Sequence, residues 1–472
     1  MLERRVVRDL EGQVDLPHVY TRPADLAAYA YDAWGASGER HLPDAVVFPA
    51  TTEEVAGVVA VCAHHGAAVV PRGAGTGYAA GAAPIGGGVV LSLALMNRVR
   101  SIEPDALRLR AEAGTVTRAV HERAARAGLY FPPDPGSSST CTIGGNVACN
   151  AAGPHTLRYG TTADYVTGVT AVLADGRVVR LGEEGGGSSP DLLALLCGSE
   201  GTLGVITEVT LRLVAAPAAR ATLAATFAGM EPAAGAVADL TAQGLVPAAI
   251  EFLDEGALDA VRRAGGTTVA AAGALVIVEV EGPRAEVDAE SDAVRRAFAQ
   301  AGAQSVEAAA DEGEARRLWA TRKAVSAAVA KVMIGKVNED VVVPRDRIAE
   351  LVARTRELAA RHRLPVVNFG HLGDGNVHVT FLLDPRVPGE RERADAAAGE
   401  LFDTVLGMDG SLSGEHGVGA AKLAFVERQI GPGGVELERR LKSALDPRGI
   451  LNPGKKVPYG QGTSEAASNE AA

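Results

Sequence analysis

The spacing of apolar residues in the first half of the chain predicts short strands that alternate with helices. Thr51-Thr-Glu-Glu54, followed by apolar residues at helical spacing and then by Gly66, predicts a helix with a capping box and a glycine end. A second helix is predicted near 117–127. Apolar runs on either side of Asp175-Gly176 predict a hairpin. Further strands are predicted at 46–49, 67–70, 89–93, 107–112 and 203–213.

The pattern changes at Ala215-Ala-Pro-Ala-Ala219, where we predict a domain boundary. Beyond it, strands alternate with alanine-rich helices, an order typical of an α+β domain built on an antiparallel sheet. The strands are expected at 221–227, 248–253, 274–280, 337–343 and 365–370, and the helices at 232–243, 255–264, 283–301 and 311–332. Two segments lack periodicity. The first, 132–160, is long enough to indicate a functional loop, and the second, 182–189, is expected to be a flexible surface loop.

Composition and charge exclude several classes of protein. The 472 residues include 46 Lys and Arg against 58 Asp and Glu, a net charge of −12, so a general nucleic-acid-binding surface is not expected. The four cysteines form no CxxC pair, which argues against a disulfide framework and favours a reducing cytoplasm. The sequence has no signal-peptide pattern and no apolar run of about 18 residues. Contact with a membrane is therefore expected only through a partner.

Three segments rich in small residues carry the first candidate chemistry. Gly73, Gly75 and Gly77 directly follow a predicted strand, but Tyr78 stands where a dinucleotide fingerprint requires its third glycine. No P-loop motif is present. What remains is a loop with little side-chain bulk, which is either a tight turn or a backbone cradle for a pyrophosphate. Two further segments of small and hydroxylated residues lie at 132–153 and 198–206.

Three of the ten histidines lie in two short segments that are flanked by glycine. Asp374-Gly375 suits a two-residue type I′ turn, and such a hairpin would bring His371 directly opposite His378 on one face. Two imidazoles in that position can hold one metal ion. Glu415 then offers an oxygen ligand, and its neighbour His416 remains available as a base. Lone histidines are more often structural, so the pattern as a whole carries this hypothesis.

Taken together, these motifs resemble those of the flavin-linked D-2-hydroxyacid dehydrogenases. That group includes D-lactate and D-2-hydroxyglutarate dehydrogenases and the flavin subunit of glycolate oxidase, within the vanillyl-alcohol oxidase/p-cresol methylhydroxylase fold. The resemblance covers nearly the whole chain, from about residue 40 to residue 456. The segments that carry it are Pro71-Arg-Gly-Ala-Gly-Thr-Gly77, Thr142-Ile-Gly-Gly-Asn146, Gly198-Ser-Glu-Gly-Thr-Leu-Gly204, the histidine hairpin, Ser413-Gly-Glu-His-Gly417 and Asn452-Pro-Gly-Lys455.

The resemblance implies an α+β protein in which a two-subdomain FAD-binding domain at 1–218 precedes an α+β cap domain with an antiparallel sheet at 219–440. Residues 441–458 would return to the flavin, and 459–472 are expected to be a disordered tail. FAD is expected to be non-covalent, because Thr76 stands where some relatives attach the flavin through histidine. The residues implied to bind FAD are Arg72, Gly73, Ala74, Gly75, Thr76, Gly77, Asp134, Thr142, Gly145, Asn146, Ala148, Glu200, Gly201, Ile206 and Asn452.

The same resemblance implies oxidation of a D-2-hydroxy acid, such as D-lactate, to the 2-oxo acid. Arg322 would clamp the substrate carboxylate with its guanidinium fork. Ser326, one turn later on the same helical face, and Lys336 would add further contacts. Many relatives that oxidise longer acids have Asn two residues after the second histidine, and this chain has Thr380 there. We therefore do not favour 2-hydroxyglutarate as the substrate.

The metal and the base are also implied by the resemblance. A divalent ion would lower the pKa of the substrate hydroxyl, and His416 would remove its proton as general base. Zn²⁺ is expected, with Mn²⁺ and Fe²⁺ as alternatives. The implied metal ligands are His371, His378 and Glu415.

Electrons from the substrate must reach an external acceptor, because the sequence has no cysteine cluster for an iron–sulfur centre. A quinone, a cytochrome, an electron-transfer flavoprotein or an iron–sulfur subunit would serve as this acceptor. The sequence is compatible with a homodimer. The main alternative is the FAD subunit of a multi-subunit glycolate oxidase. Two other classes are a metal-dependent hydrolase, which leaves the glycine-rich segments unexplained, and a non-catalytic nucleotide-binding module.

Overall fold

The fold is known from a computed structural model, which describes residues 2–15, 17–34, 40–182, 191–267 and 269–458. The loop expected at 182–189 lies outside these residues except for its first position, and so does the tail expected at 459–472. Within the described ranges, helices and antiparallel strands are mixed along the whole chain. The fold class expected from the sequence is therefore confirmed.

The first half of the chain forms a small, mainly parallel sheet and a larger antiparallel one. The small sheet has the order β1-β2-β4-β3 and the larger one the order β5-β6-β10-β8-β9, while β7 pairs with β11 alone. The strands are β1 (Val19–Tyr20), β2 (Ala45–Val47), β3 (Val69–Arg72), β4 (Val89–Ser92), β5 (Val99–Glu103), β6 (Arg108–Glu112), β7 (Leu129–Tyr130), β8 (Val166–Val172), β9 (Val178–Gly182), β10 (Val205–Arg212) and β11 (Val214–Ala215).

Seven α-helices accompany these sheets in the described part of the first half. They are α1 (Arg4–Glu11), α2 (Pro23–Leu26), α3 (Thr52–His65), α4 (Thr117–Ala125), α5 (Ile143–Cys149), α6 (Thr156–Tyr159) and α7 (Leu192–Leu196). The capping prediction for α3 is confirmed, because the Thr51 side chain accepts from the Glu54 N–H and Gly66 ends the helix at φ +68°. The segment 132–160 is not the continuous loop that was expected, since α5 and α6 lie within it.

The second half is built on one antiparallel sheet of seven strands, in the order β15-β12-β14-β13-β17-β18-β16. Its long central strands are rich in Val, Ile, Leu and Ala, as expected for strands that are buried on both faces. The strands are β12 (Ala219–Phe227), β13 (Ala249–Asp254), β14 (Ala274–Gly282), β15 (Ser305–Ala308), β16 (Gly335–Val342), β17 (Val366–His371) and β18 (Asn376–Leu383).

Helices cover both faces of this sheet. The helices are α8 (Met230–Ala242), α9 (Glu255–Arg263), α10 (Arg284–Gln300), α11 (Glu312–Lys323), α12 (Val325–Val332), α13 (Ile348–His362), α14 (Glu390–Leu406) and α15 (Val426–Leu445). One core cluster joins the sheet to α8, α10, α13 and α14, and another joins its opposite face to α9, α11 and α12. The single helix expected at 311–332 is wrong, because α11 ends at Lys323 and Ala324 separates it from α12.

The histidine hairpin forms, but its predicted register is wrong. His371 pairs with Asn376, and His378 pairs with Phe369, so the turn contains four residues and not two. A type I′ turn needs positive φ at both central residues, and of Asp374 and Gly375 only the glycine has it. Contacts outside the hairpin hold this wider turn, since the Gly375 carbonyl accepts from the Val343 N–H at 3.1 Å. Such contacts cannot be read from the Asp-Gly pair.

Candidate active site

A cavity of about 840 Å³ lies between the loops of the first half and the polar end of the seven-stranded sheet. The face of the sheet that carries α9, α11 and α12 is apolar at its centre and polar where it meets the cavity. Most of the residues singled out from the sequence line it. They are Arg72, Gly73, Ala74, Gly75, Thr76, Gly77, Asp134, Thr142, Gly145, Asn146, Ala148, Glu200, Gly201, Ile206, Arg322, Ser326, Lys336, His371, His378, Glu415 and His416.

Asn452 is the exception among the predicted residues. It is only 1% exposed and does not line the cavity. Its side-chain amide donates to the carbonyls of Gly81, at 2.9 Å, and Glu200, at 2.7 Å. Asn452 therefore connects Gly81, which follows the glycine-rich loop, to the 198–206 segment, and its contact with FAD stays a prediction.

The glycines after β3 make room for two neighbouring side chains, those of Thr142 and Arg72. A Cβ added at Gly73 would lie 2.3 Å from the Thr142 hydroxyl, and one added at Gly75 would lie 2.3 Å from the Arg72 guanidinium. Gly75 also has φ +69°, a conformation that side chains other than glycine rarely adopt. Thr142 presents a buried hydroxyl with no hydrogen-bond partner among the described residues. The loop of small residues at 73–77, called the glycine cradle below, and the unsatisfied Thr142 hydroxyl beside it fit a bound cofactor.

The three predicted metal ligands converge although the hairpin register differs from the prediction. His378 lies diagonally across the strand pair from His371, on the same face, with ring centroids 5.4 Å apart. The Nε2 atoms of both rings lie 3.5 Å from Oε1 of Glu415. Nε2 of His371 and Oε2 of Glu415 are buried and have no hydrogen-bond partner in the described chain. Two nitrogens and a carboxylate in this arrangement fit a divalent cation.

Charge around this cluster also favours a cation. Burial lowers the pKa of His378 to about 3, which keeps its imidazole neutral and its lone pairs free. Burial would raise the pKa of Glu415, but the surrounding imidazoles outweigh that effect and bring it to about 2. Burial would lower the pKa of His371, but Glu251 and Glu415 outweigh it and hold that pKa well above the usual value. A metal ion bound at His371 would therefore displace a proton.

Asp340 on β16 anchors the segment that carries Glu415 and His416. One of its carboxylate oxygens accepts from three consecutive backbone N–H groups, those of Gly414, Glu415 and His416, at 2.8, 2.9 and 3.0 Å. The other oxygen accepts from the Asn376 amide at 2.6 Å. Burial would raise the pKa of Asp340, but the neighbouring His416, Lys422 and His378 outweigh it and hold the pKa well below its usual range. A fixed carboxylate thus sets the position of both candidate residues.

His416 lies at the centre of a group of rings beside the cluster. Its ring stacks on His378 with centroids 5.2 Å apart and lies 5.1 Å from the ring of Tyr78. Its Nε2 is 3.9 Å from Oε1 of Glu415. Tyr78, which directly follows the glycine cradle, also carries the Lys336 ammonium 5.4 Å above its ring. His416 can therefore reach a group that is held between the cradle and the metal cluster.

The basic residues predicted for the substrate differ in their surroundings. Lys336 lines the cavity, its described contact is the Tyr78 ring, and desolvation lowers its pKa. Arg322, at the end of α11, lies over the Phe369 ring at 4.7 Å, and its Nε bonds to Glu251 at 2.6 Å. Ser326 lies beyond the break at Ala324, in α12, and is exposed at the cavity wall.

Two further residues on the sheet were not singled out from the sequence. Asn338 lines the cavity and accepts a hydrogen bond from the Thr380 hydroxyl at 2.7 Å. Glu251 is fully buried and bonds to both Arg322 and His371. A polar residue at every second position of β16, at 336, 338 and 340, was a signal for a polar sheet face that could have revealed Asn338 and Asp340. Glu251 stands in an apolar strand without such a signal.

Two sequence families match this chain. The one described as FAD binding domain matches residues 43–182, and the one described as FAD linked oxidases, C-terminal domain, matches residues 216–456. The second match alone covers half of the 472 residues.

The chain belongs to the FAD-linked oxidase family.

Proteins with curated names support this assignment over most of the chain. Glycolate oxidase subunit GlcD of Bacillus subtilis is 36% identical over 92% of this chain and 92% of its own. D-lactate dehydrogenase of Anaerostipes hadrus is 34% identical over 88% of this chain and 89% of its own. Mitochondrial D-2-hydroxyglutarate dehydrogenase of Bos taurus is 33% identical over 87% of this chain and 76% of its own.

Solved structures share the fold of this FAD-linked oxidase. p-Cresol methylhydroxylase with bound substrate superposes with a TM-score of 0.82 at 20% identity, over 96% of each chain. 4-Ethylphenol oxidase from Gulosibacter chungangensis has a TM-score of 0.80 at 22% identity, over 97% of each chain. The predicted vanillyl-alcohol oxidase-type fold is confirmed. In the part of the chain that the structure describes, no helix is long and apolar enough to cross a membrane.

In this FAD-linked oxidase, His155 joins the 132–160 segment to the seven-stranded sheet. Its Nδ1 lies 2.9 Å from Asp134, and its Nε2 lies 3.2 Å from Glu279 on β14. Burial lowers the pKa of His155, but the two carboxylates outweigh it and raise the pKa to about 10. A charged imidazole between two carboxylates therefore spans the two halves of the protein beside the cavity.

This arrangement predicts a pH dependence of stability. The folded-state pKa of about 10 exceeds the ordinary value of 6.5, so the stabilisation by His155 is complete below pH 6.5 and is lost as the pH rises towards 10. His155→Gln should lower the free energy of unfolding by a few kcal/mol near pH 6, at about 1.4 kcal/mol per pKa unit, and by much less near pH 10. Denaturant unfolding at both pH values measures this. His362→Gln, far from the cavity, is the control, and equal losses at both pH values would contradict the prediction.

Proposed function

We propose that this chain oxidises a small D-2-hydroxy acid, such as D-lactate or glycolate, to the 2-oxo acid and passes the electrons to an external acceptor. One observation carries the proposal. The glycine cradle, the two basic residues Arg322 and Lys336, and the cluster around His416 all line the same cavity. Such a cavity can hold a flavin, a carboxylate and a hydroxyl carbon next to one another. Relatives named glycolate oxidase subunit and D-lactate dehydrogenase support the substrate class.

FAD, when bound, supplies the acceptor for the hydrogen and two electrons that leave C2 of the substrate. We assign the backbone of residues 72–77 to its pyrophosphate and the segments around Asp134, Thr142–Ala148 and Glu200–Ile206 to the rest of the cofactor. The loop 72–77 contains no His, Cys or Tyr, which supports non-covalent binding. We also assign residues 1–218 to the FAD-binding domain and 219–440 to the cap domain.

The chain's own residues then divide the remaining tasks. Arg322 and Lys336 hold the substrate carboxylate, and the guanidinium fork of Arg322 fixes its orientation. Ser326 at the cavity wall adds a hydroxyl contact. His416 takes the proton from the C2 hydroxyl as general base. The position of His416 depends on Asp340, which holds its backbone N–H at 3.0 Å.

His371, His378 and Glu415 would hold a divalent metal ion, which we expect to be Zn²⁺. Such an ion, when bound, acts as a Lewis acid that lowers the pKa of the substrate hydroxyl. The unsatisfied Nε2 of His371 and Oε2 of Glu415 support this assignment. His416 is not needed as a ligand, so it stays free for proton transfer.

A second candidate is the FAD subunit of a multi-subunit glycolate oxidase, in which an iron–sulfur partner receives the electrons. The relative in Bacillus subtilis that bears such a name covers 92% of this chain, which favours this candidate. The chemistry at the cavity is the same in both cases. Co-purification of the chain with an iron–sulfur protein, and slow turnover of the isolated chain with a quinone, would favour the subunit.

The test is steady-state turnover with an artificial electron acceptor and four acids, namely glycolate, D-lactate, D-2-hydroxyglutarate and L-lactate. The Thr380 hydroxyl is engaged with Asn338 and offers little to a second carboxylate. We expect kcat/KM for D-lactate or glycolate to exceed that for D-2-hydroxyglutarate by about tenfold or more, the effect of one unmet polar contact. L-Lactate should be the poorest of the four. Equal turnover of both lactate enantiomers, or none with any acid, would refute the proposed substrate class.

A further inference from the structure

Glu251 is the residue that connects two parts of the candidate site that look separate in the sequence. Its side chain is fully buried. One carboxylate oxygen accepts from Nε of Arg322 at 2.6 Å, and the other bonds to Nδ1 of His371. The residue expected to hold the substrate carboxylate and a residue expected to bind the metal therefore share one buried anion.

The fold enforces this sharing. Glu251 on β13 and His371 on β17 are direct cross-strand partners, so their side chains leave the sheet side by side. Arg322 comes from the end of α11, which packs on the same face. The bond to Glu251 also fixes which nitrogen of His371 can bind a metal, because Nδ1 must keep its proton. Nε2 faces Glu415 and His378 and offers its lone pair once a metal ion displaces the proton there.

We propose that Glu251 is a positioning residue that couples the substrate clamp to the metal site, so that substrate and metal bind cooperatively. This inference rests on the proposed roles of Arg322 and His371. When a substrate carboxylate engages Arg322, the guanidinium is shared between two anions, and more of the Glu251 charge is available to His371. A more basic His371 binds a cation more tightly, and by linkage the bound cation strengthens the binding of the substrate.

The first test is the affinity of the metal-stripped, FAD-containing protein for Zn²⁺, measured by calorimetry without substrate. Glu251→Gln keeps the shape of the side chain but leaves one acceptor oxygen for the two donors, Arg322 and His371. Its NH₂ group facing His371 would favour the other tautomer and put a proton on Nε2. Glu251→Gln should therefore weaken Zn²⁺ binding by about 10–100-fold.

Two variants control for the loss of a buried anion as such. Glu112→Gln removes a fully buried carboxylate that pairs with Arg98 and Arg100 in the first half of the chain, and it should leave Zn²⁺ affinity unchanged. Glu251→Asp retains both oxygens and the charge, and it should bind Zn²⁺ better than Glu251→Gln does. FAD content and the melting temperature report whether each variant folds.

The decisive test is a double-mutant cycle with Arg322→Met. Removal of the guanidinium leaves the Glu251 charge uncompensated, so Arg322→Met alone should tighten Zn²⁺ binding several-fold although Arg322 is not a ligand. If the effect passes through Glu251, Arg322→Met should change Zn²⁺ affinity little in the Glu251→Gln background. Strong non-additivity of this kind supports the proposal. Additive effects, or wild-type affinity in Glu251→Gln, would overturn it.

Failure of this inference can be told apart from failure of the proposed function. Anaerobic addition of D-lactate to the wild-type protein reports the reaction without any reference to Glu251. If D-lactate reduces the flavin but the effects of Arg322→Met and Glu251→Gln on Zn²⁺ affinity are additive, the coupling is overturned and the reaction class stands. The same conclusion follows if the flavin is reduced and the protein binds no Zn²⁺. If the protein binds no Zn²⁺ and none of the acids reduces its flavin, both the coupling and the proposed function are overturned.

Discussion

His416→Ala is expected to retain FAD and bound metal while flavin reduction by the substrate slows by about 10²–10⁴-fold, the usual contribution of a general base. The ring of His416 lies between the metal cluster and Tyr78, and its Nε2 is 3.9 Å from the Glu415 carboxylate. Alanine removes the proton acceptor without removing a metal ligand, and Asp340 still holds the backbone. Stopped-flow absorbance of the flavin band under anaerobic conditions measures the rate.

The control for this prediction is a histidine that is remote from the cavity. His362 bonds to Glu400 at 2.8 Å, and His362→Ala should reduce its flavin at the wild-type rate. Reduction of the His416→Ala flavin at the wild-type rate would refute the assignment of His416 as base. Loss of metal from the same variant would instead show that His416 is a metal ligand. That result would contradict the assignment of proton transfer to His416 and of metal binding to His371, His378 and Glu415 alone.

His371→Ala is expected to lose its metal almost completely while keeping FAD. Of the three proposed ligands, one imidazole and one carboxylate remain, and His371 is far from the glycine cradle in the sequence and on another element. Loss of the Lewis acid removes several kcal/mol of transition-state stabilisation, so turnover should fall by about 10³-fold or more. Elemental analysis and flavin absorbance of the same sample measure metal and cofactor together.

An added metal should not rescue His371→Ala at concentrations that saturate the wild-type protein. Unchanged metal content in this variant would contradict the ligand set of His371, His378 and Glu415. Loss of FAD together with the metal would show a folding defect, and His378→Ala then provides the second test of the same ligand set. His362→Ala is again the control and should hold metal and FAD as the wild type does.

Local sequence signals predicted local structure well. The capping pattern at Thr51–Glu54 and the glycine at 66 define α3 closely, because each acts through neighbours within one turn of helix. The alternation of strands and alanine-rich helices after residue 219 likewise corresponds to a sheet that is covered on both faces. Such patterns report burial directly, and burial decides which elements form.

Features that depend on distant partners could not be predicted in the same way. The four-residue turn of the histidine hairpin is held by Val343 and by other contacts outside it. The break at Ala324 has neither proline nor glycine to announce it. Glu251 stands in a buried strand, 71 residues before one partner and 120 before the other, and no local pattern connects the three.

The candidate site itself was predictable because its residues stand in unusual local contexts. Glycines stand next to His371 and His416 and three residues before His378, and the loop at 73–77 has little side-chain bulk. Such glycines mark turns and close contacts of the backbone. His371 and His378 converge despite the shifted register, since a shift in pairing of two residues leaves both side chains on the same face. Glu251, which positions His371, has no such local signal, and Asp340 is indicated only by the polar residues at alternate positions of β16.

Oxidation of a D-2-hydroxy acid by bound FAD is tested by the visible spectrum of the purified, metal-replete protein under anaerobic conditions, before and after addition of D-lactate or glycolate. We expect a yellow protein whose flavin band is bleached by a D-2-hydroxy acid and is not bleached by L-lactate. Acid precipitation should release the flavin into solution, as expected for non-covalent FAD. A colourless protein that takes up no added FAD, or a flavin that no 2-hydroxy acid reduces, would show that the chain does not catalyse this oxidation.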